Sequence, residues 1–179
     1  MSFVRKFYIA DTHFLHGRIL GMQPRPFASI DEHDEHIVRC WNAVVGDRDI
    51  VYHLGDFAFQ LGPQADRVRW LFSRLKGRKH LVIGNHDVDD KGNLHPTVAS
   101  LDWEEPPQWM KFTRDGGKKL VLCHYGIREW QGKHGGAFHF YGHSHGKLPS
   151  YGLSRDVGCD MTDVAFTPRT FEELVRGMG

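Results

Sequence analysis

Histidine and aspartate side chains that could bind metal ions occur in short clusters along this chain of 179 residues, which contains 13 histidines. The five clusters are Asp11-Thr12-His13, Gly55-Asp56, Gly84-Asn85-His86-Asp87, His124-Tyr125 and Gly142-His143-Ser144-His145. Imidazole nitrogens combined with carboxylate and amide oxygens suit Mn²⁺, Fe, Zn²⁺, Ni²⁺ or Co²⁺. The set offers more ligands than one tetrahedral ion needs. Two ions that share a carboxylate, roughly 3.5–4 Å apart, would use them all.

A short apolar run precedes each cluster and predicts a buried strand. These runs cover residues 7–10, 50–54, 80–83, 120–123 and 138–141. In α/β proteins, functional sites form outside the carboxyl ends of the strands. In an extended Asp-x-His or His-x-His segment, the two outer side chains lie on the same face. We therefore expect the clusters to converge on one site.

Two helices are predicted between the first three strands. Ser29 and Glu32 have the spacing of a capping box, and apolar residues follow at helical intervals until Gly46. A second helix begins near Pro63 and is predicted to end at Gly77. The alternation of strands and helices indicates a largely parallel sheet with covered faces.

The second half of the chain has a different pattern. Residues 108–113 and 118–123 flank Arg114-Asp115-Gly116-Gly117, which predicts a β-hairpin. Thr170 and Glu173 have capping-box spacing and predict the start of a last helix. The fold class is therefore α/β with more than one sheet, and the length predicts a single domain over residues 1–179.

Composition excludes several classes of protein. With 23 basic and 22 acidic side chains, the formal net charge of +1 does not fit a protein that coats nucleic acid by bulk charge. Three scattered cysteines form neither a disulfide framework nor a cysteine zinc site, which favours a reduced, cytoplasmic protein. No apolar run approaches the roughly 20 residues of a membrane span.

In their order and spacing, the five clusters resemble the signature of the calcineurin-like metallophosphoesterases, in the short single-domain form found in bacteria and phages. The resemblance spans residues 11–145, and the segments Arg25-Pro26-Phe27 and Val157-Gly158-Cys159-Asp160 also resemble the short members. It implies a four-layer sandwich of two β-sheets flanked by α-helices. It also implies two divalent metal ions, with Mn²⁺ favoured over Fe, Zn²⁺, Ni²⁺ and Co²⁺.

The resemblance assigns roles to individual residues. The metal ligands would form two sets and one bridging residue: Asp11, His13 and His145; Asn85, His124 and His143; and Asp56 between the ions. A water or hydroxide that bridges the ions would attack phosphorus in line, with His86 as the catalytic residue that assists the leaving group. Asp87, the second catalytic candidate, would either orient a neighbouring histidine or cap a following helix.

Substrate contacts are less sharply defined. His16, Arg18 and Arg128 are candidates to bind the substrate phosphate together with Asn85, while surface positions are equally plausible for the two arginines. The second cluster continues as Phe57-Ala58-Phe59-Gln60 and lacks the arginine of some monoesterase members; Asp87 stands where glutamate is commoner. The first departure favours a phosphodiesterase.

Two alternatives stay open: a phosphomonoesterase using the same site, and a non-catalytic metal-binding scaffold. The expected partner is a small phosphate ester. Nucleic acid would be bound only as a substrate, no membrane is expected, and the chain could be a monomer or a dimer.

Other residues of chemically active types are given structural interpretations. Arg25 is expected to fix its own loop rather than reach the site, His53 to be a hydrogen-bonded core residue, and Cys123 to face the core. His33 and His36 lie three residues apart on the first long helix, off its apolar stripe, so we expect them to be solvated.

Overall fold

Two four-stranded sheets form the centre of the protein in a computed structural model that describes residues 4–178. The strands in chain order are β1 (Lys6–Ile9), β2 (Ile50–His53), β3 (Arg78–Leu81), β4 (Met110–Asp115), β5 (Lys118–Cys123), β6 (Phe138–Tyr141), β7 (Ser154–Asp156) and β8 (Arg169–Thr170). The helices are α1 (Ile19–Met22), α2 (Ile30–Val44), α3 (Ala65–Arg74), α4 (Pro96–Ala99) and α5 (Phe171–Leu174), with a 3₁₀ turn at Lys133–Gly135.

The two sheets have similar mixed topologies. In the first, the order is β3-β2-β1-β8, with β1, β2 and β3 parallel and β8 antiparallel to β1. In the second, the order is β4-β5-β6-β7, with β5, β6 and β7 parallel and β4 antiparallel to β5. Each sheet therefore has parallel strands whose carboxyl ends lie at one edge, which is where an α/β site is expected.

The long helices form where the sequence predicts them. Ser29 caps α2, and its side chain accepts a hydrogen bond from the Glu32 amide at 3.2 Å. Helix α3 ends at Arg74, three residues before Gly77, which has a left-handed φ of +89° in the turn that follows. The capping box of Thr170 and Glu173 is present at the start of α5.

The core lies between the sheets and beneath the helices. Tyr8 points towards the second sheet, where its ring centroid is 5.3 Å from that of Phe140. Its neighbours Phe7 and Ile9 face the other side of the strand, because strand side chains alternate. The outer face of the second sheet is covered by Trp130, which packs with Val121 and Ala137. These layers confirm the predicted α/β fold class.

The predicted hairpin is also present. Strands β4 and β5 pair from Met110 opposite Cys123 to Asp115 opposite Lys118, and Gly116 and Gly117 both have positive φ in the connecting turn. Strands β7 and β8 were not predicted, because they are short and contain no apolar run.

Among residues 4–178, no helix combines the length and the apolar character needed to cross a bilayer.

Candidate metal centre

The loops that follow the strands are hydrogen-bonded to one another and so hold the predicted ligands at one edge. The Asp11 amide donates to the Gly55 carbonyl at 3.0 Å, and the His13 amide donates to the Asp56 carbonyl at 3.0 Å. In the second sheet, the Gly142 amide donates to the His124 carbonyl at 2.9 Å. The two sheets meet at this edge, because the His143 amide donates to both carboxylate oxygens of Asp11 at 3.0 Å.

Asp11, His13 and His145 form the first group of converging side chains. One ligand atom from each lies within 4.8 Å of the others. The Nε2 atom of His13 is buried and has no hydrogen-bond partner within residues 4–178. Burial, opposed in part by the histidines nearby, raises the pKa of Asp11 to about 7. A lone pair without a partner beside a buried carboxylate fits a divalent cation, which would satisfy both.

Asp56, His124 and His143 form the second group, with ligand atoms again within 4.8 Å. The Nδ1 atom of His124 donates to the Leu54 carbonyl at 2.7 Å, so the lone pair of a neutral ring is on Nε2. That nitrogen lies 3.1 Å from Oδ1 of Asn85 and 3.4 Å from Oδ1 of Asp56. Three acceptor atoms that face each other in this way suit either a proton or a metal ion.

The Asp56 carboxylate lies between the two groups. Its Oδ1 faces His124 at 3.4 Å, and its Oδ2 lies 3.7 Å from Nε2 of His13. Burial raises the pKa of Asp56, but the hydrogen bond and charge of His124 lower it by more. The net result is a pKa below the ordinary value of an aspartate. The same pairing, against the opposing effect of burial, raises the pKa of His124 to about 9. In the absence of metal the two behave as a buried ion pair.

Five of the predicted ligands have a left-handed backbone that residues other than glycine rarely adopt. Their φ angles are 57° at Asp11, 49° at His13, 56° at Asp56, 66° at His143 and 47° at His145. Each such residue costs of the order of 1–3 kcal/mol, and such residues cluster at functional sites. The backbone therefore turns sharply at each ligand, and the hydrogen bonds between the loops stabilise these turns.

Two glycines are required where the loops after β2 and β3 cross. A methyl group added at Gly55 would lie 2.5 Å from Nδ1 of His124 and 2.7 Å from the Gly84 Cα. A methyl group at Gly84 would lie 2.3 Å from Oδ1 of the Asp56 carboxylate. The two backbones are therefore in direct contact, and the site closes only because neither residue has a side chain.

His145 has a buried carboxylate partner that the sequence did not identify as part of the site. Its Nδ1 donates to Oδ2 of Asp160, which leaves Nε2 directed to the first group. Burial raises the pKa of Asp160, but its hydrogen bond to His145 and the charge of Arg25 together lower it below its ordinary value. A carboxylate on the far nitrogen of a ligating histidine fixes its tautomer and orientation. Asp160 follows β7 by only a few residues, and no local pattern marks it as a partner of His145.

Arg25 connects Asp160 to the first ligand loop. Its Nε lies 2.6 Å from Oδ1 of Asp160, and its two terminal nitrogens donate to the carbonyls of Asp11 at 2.7 Å and Thr12 at 3.0 Å. Arg25 is 3% exposed. It has the structural role that the sequence predicted, but it fixes the loop after β1 rather than its own.

The expectation that His33 is solvated is wrong. Its ring is fully buried, accepts from Arg25 at 2.7 Å and donates to Oδ1 of Asp34 at 2.8 Å. His36 is half-buried, with its ring centroid 5.0 Å from that of Phe27. The segment before α2 covers this face of the helix, which periodicity within the helix could not show. His53, in contrast, is buried and bonded to Thr12 as expected, and Cys123 is buried.

Asp87 neither orients a histidine nor caps a helix. Its carboxylate accepts hydrogen bonds from the amides of Gly84 at 2.8 Å, Asp56 at 2.9 Å and Phe57 at 3.0 Å. Within residues 4–178, no imidazole is among its hydrogen-bond partners. The catalytic interpretation of Asp87 is therefore corrected to a positioning one: Asp87 joins the loop after β3 to the loop that carries Asp56.

A cavity of about 390 Å³ opens over the two groups. Its lining residues tell which of the candidate substrate-binding residues lie close to the groups. His16, Asn85 and His86 line it, whereas Arg18 is exposed outside it and Arg128 lines a neighbouring cavity. Lys147 also lines it and was not predicted, because it follows the last cluster without a motif of its own.

His86 lies at the centre of this cavity wall. Its amide donates to Oδ1 of Asp56 at 2.9 Å, and its ring centroid is 5.3 Å from that of His13. A ring nitrogen of His86 lies within 4.8 Å of ligand atoms of His13 and Asp56, so these three side chains form a further group that could hold an ion. Phe59 packs behind this wall. Its ring stacks on that of His16, with the centroids 4.1 Å apart, and meets the ring of His86 edge-on, with the centroids 5.4 Å apart.

Comparison with known proteins identifies a matching family and several similar chains. A family model described as calcineurin-like phosphoesterase matches residues 6–147. An uncharacterized protein of Methanocaldococcus jannaschii is 39% identical over 87 residues, which is 49% of this chain and 49% of that protein. The crystal structure of a protein of unknown function from Aquifex aeolicus covers 97% of this chain and 99% of its own, with a TM-score of 0.73 and 22% identity. A structure described as a novel archaeal phosphodiesterase covers 89% and 87%, with a TM-score of 0.54 and 16% identity.

Proposed function

The chain belongs to the calcineurin-like phosphoesterase family, and from this we propose that it is a metal-dependent enzyme that hydrolyses phosphodiesters. The observation that supports this most directly is the position of Asp56. Its two carboxylate oxygens face two separate groups of ligand atoms, one with His13 and one with His124. A carboxylate shared between two groups is the arrangement that a pair of metal ions requires.

The proposed ligands divide between the two groups. Asp11, His13 and His145 would hold one ion, Asn85, His124 and His143 would hold the other, and Asp56 would contact both. Divalent cations bound there would neutralise charge on the phosphoryl oxygens and lower the pKa of water. The mixed nitrogen and oxygen donors suit Mn²⁺, which we propose as the working metal, and the metal content of the purified protein tests that choice.

The remaining residues bind the substrate and move a proton. His86 is half-buried at the cavity wall, where its ring can donate a proton to the leaving oxygen of the ester. His16 and Phe59 pack beside it and limit its orientation. Lys147 lines the same cavity and offers a positive charge to the phosphate.

Two features favour a diester over a monoester. The second cluster has Phe59 and Gln60 where some monoesterases of the family carry an aspartate and a phosphate-binding arginine. The site also has neighbouring cavities on two sides: one of about 330 Å³ shares Asn85 and His86 with it, and one of about 390 Å³ shares Leu148. A diester carries two ester groups, and each neighbouring cavity can receive one.

The test compares bis(p-nitrophenyl) phosphate with p-nitrophenyl phosphate, using protein loaded with Mn²⁺, Co²⁺, Ni²⁺ or Zn²⁺. We expect faster turnover of the diester. We expect His86→Ala to lower kcat by about 10²–10⁴-fold without loss of bound metal. His134→Ala is the matched control, because the His134 side chain is 90% exposed and lines neither the cavity over the proposed site nor its two neighbours.

Each alternative predicts a different result. Faster hydrolysis of the monoester would indicate the phosphomonoesterase, in which Lys147 would supply the cation that the second cluster lacks. Metal binding without turnover of either ester would indicate the scaffold. Full activity of His86→Ala would refute the proposed proton transfer.

A further inference from the structure

A second cavity opens beside the proposed metal centre and has a different lining. It has a volume of about 390 Å³, which is within the usual range of ligand pockets, about 300–1,000 Å³. We call it the side cavity, and its lining includes Gly126, Ile127, Arg128, Leu148, Pro149 and Tyr151. None of the predicted metal ligands lines it. It is therefore suited to binding part of a molecule whose reacting group lies in the neighbouring site.

Leu148 is the boundary between the side cavity and the metal-centre cavity, since it lines both. Its position depends on Gly126: a methyl group added there would lie 2.4 Å from Cδ2 of Leu148 and 3.3 Å from the Tyr141 ring. Gly126 has no left-handed φ, so the requirement for glycine here is one of space. The Leu148 side chain thus lies against bare backbone two residues after His124, which links the two cavities closely.

The side cavity is lined by an aromatic ring, that of Tyr151, and by a cation, that of Arg128. The guanidinium carbon of Arg128 is 5.2 Å from the centroid of the Tyr151 ring. The Arg128 side chain has no hydrogen-bond or ion-pair partner within residues 4–178, because nearby Glu129 pairs with Lys133 at 2.6 Å. Lys133 also contacts Tyr151: its Nζ donates to the hydroxyl at 3.4 Å and lies 4.6 Å from the ring centroid, while Tyr151 as a whole stays 49% exposed.

We propose that the side cavity binds a nucleoside, as the ester group that stays on phosphorus when the diester is cleaved. A phenol ring and a guanidinium plane are the surfaces on which nucleobases stack, and an unpaired arginine can also donate to the polar edge of a base. The leaving group is assigned to the other neighbouring cavity, of about 330 Å³, because His86 borders that cavity and is absent from the side cavity. This inference rests on the proposed phosphodiesterase function.

Two substrates with the same leaving group test the inference. Thymidine 5′-(p-nitrophenyl phosphate) retains a nucleoside on phosphorus, whereas methyl p-nitrophenyl phosphate retains a methyl group. The parent protein should show the higher kcat/KM with the thymidyl ester. Tyr151→Ala should lower that value by about tenfold, mainly through KM, because stacking on one aromatic residue typically contributes a factor of this order. The methyl ester should be unaffected within about twofold.

Two further variants serve as controls. Tyr151→Phe keeps the ring and should retain the preference. Trp70→Ala removes another exposed aromatic residue that packs against an arginine, and it should change neither substrate's kinetics. Trp70 is 47% exposed and Tyr151 is 49% exposed, so the two truncations are comparable in surface lost.

Binding of thymidine 5′-monophosphate, measured by titration calorimetry, tests the side cavity without turnover and should weaken by about tenfold in Tyr151→Ala. Equal kcat/KM values for the two esters in the parent, or an equal loss for both in Tyr151→Ala, would overturn the nucleoside assignment. Failure to hydrolyse either ester would instead refute the phosphodiesterase function. In that case the calorimetric comparison alone decides whether the side cavity binds nucleosides.

Discussion

Replacement of Arg25 by methionine should strongly destabilise the protein. Methionine has a similar length but removes every hydrogen-bond donor of the guanidinium. The variant would leave the buried carboxylate of Asp160 with His145 and a weak contact from the Cys159 thiol at 3.8 Å. It would also leave the carbonyls of Asp11 and Thr12 without their donors from Arg25. Removing one partner of a buried ion pair costs about 3–5 kcal/mol.

A second estimate of the cost comes from proton binding. Without the guanidinium beside it, the buried Asp160 carboxylate can relieve its burial by taking up a proton. With an unfolded pKa near 3.9, this costs about 4 kcal/mol at pH 7 and about 1.5 kcal/mol at pH 5. In the variant the folded chain then binds a proton that the unfolded chain does not, so its deficit relative to the parent shrinks as pH falls. We expect a loss of about 4 kcal/mol at pH 7 and about 1.5 kcal/mol at pH 5.

Urea unfolding in the presence of a chelator, at both pH values, measures this loss without a contribution from bound metal. Arg18→Met is the matched control. Arg18 is exposed and its side chain has no hydrogen-bond partner within residues 4–178, so its replacement should change stability by no more than about 0.5 kcal/mol. A loss below about 1 kcal/mol for Arg25→Met, or a loss of equal size at pH 7 and pH 5, would refute the reasoning.

Three further outcomes are expected. Binding of Mn²⁺ at pH 7 should release between about one and two protons per chain. His124, whose pKa is raised to about 9, must give up a proton so that its Nε2 can bind metal, and Asp11, whose pKa is raised to about 7, gives up about half a proton more. Calorimetry in buffers of different ionisation enthalpy measures this release, and its absence would contradict the assignment. Asp87→Asn should lower the free energy of unfolding, measured in urea, by about 3 kcal/mol, because an amide nitrogen would then face backbone N–H donors. An unchanged stability would show that Asp87 does not join the loop after β3 to the loop that carries Asp56. Burial lowers the pKa of His139 to about 4. Below about pH 6.5 the unfolded chain therefore binds a proton at this residue that the folded chain does not bind. The protein loses stability for this reason as the pH falls from about 6.5 to about 4. At pH 5 His139→Phe should therefore avoid about 2 kcal/mol of the stability that the parent loses. A variant whose stability depends on pH as the parent's does would refute this role of His139.

The sequence predicted that these side chains would come together, because their placement follows from strand ends. Asp56, for example, follows β2 directly, and parallel pairing with β1 brings it to the loop that carries Asp11 and His13. Five short apolar runs, each followed by ligand-type residues, were enough to locate the edge of the sheets. No contact between distant residues had to be known.

Residues that act through distant contacts could not be predicted in this way. Arg25 and Asp160 are separated by 135 positions, and only the folded chain shows that they meet beneath His145. Asp87 was misinterpreted because its neighbours in sequence were predicted to bind metal or substrate, whereas its carboxylate faces backbone amides rather than rings. Arg128 lies in a different cavity from the one expected, and the contact of Gly126 with Leu148 beside it joins residues that are 22 positions apart in the sequence.

The contact between Gly55 and Gly84 restricts how the sequence of this protein can vary. Most sites in a protein tolerate a larger residue if a neighbour becomes smaller, but here both partners already have the smallest side chain possible. No compensating pair of substitutions exists at these two positions, so random mutagenesis followed by selection for folding alone should recover glycine at both. Screens that leave activity unselected would thus still preserve this part of the site, and retention of these glycines in a variant is evidence of folding rather than of catalysis.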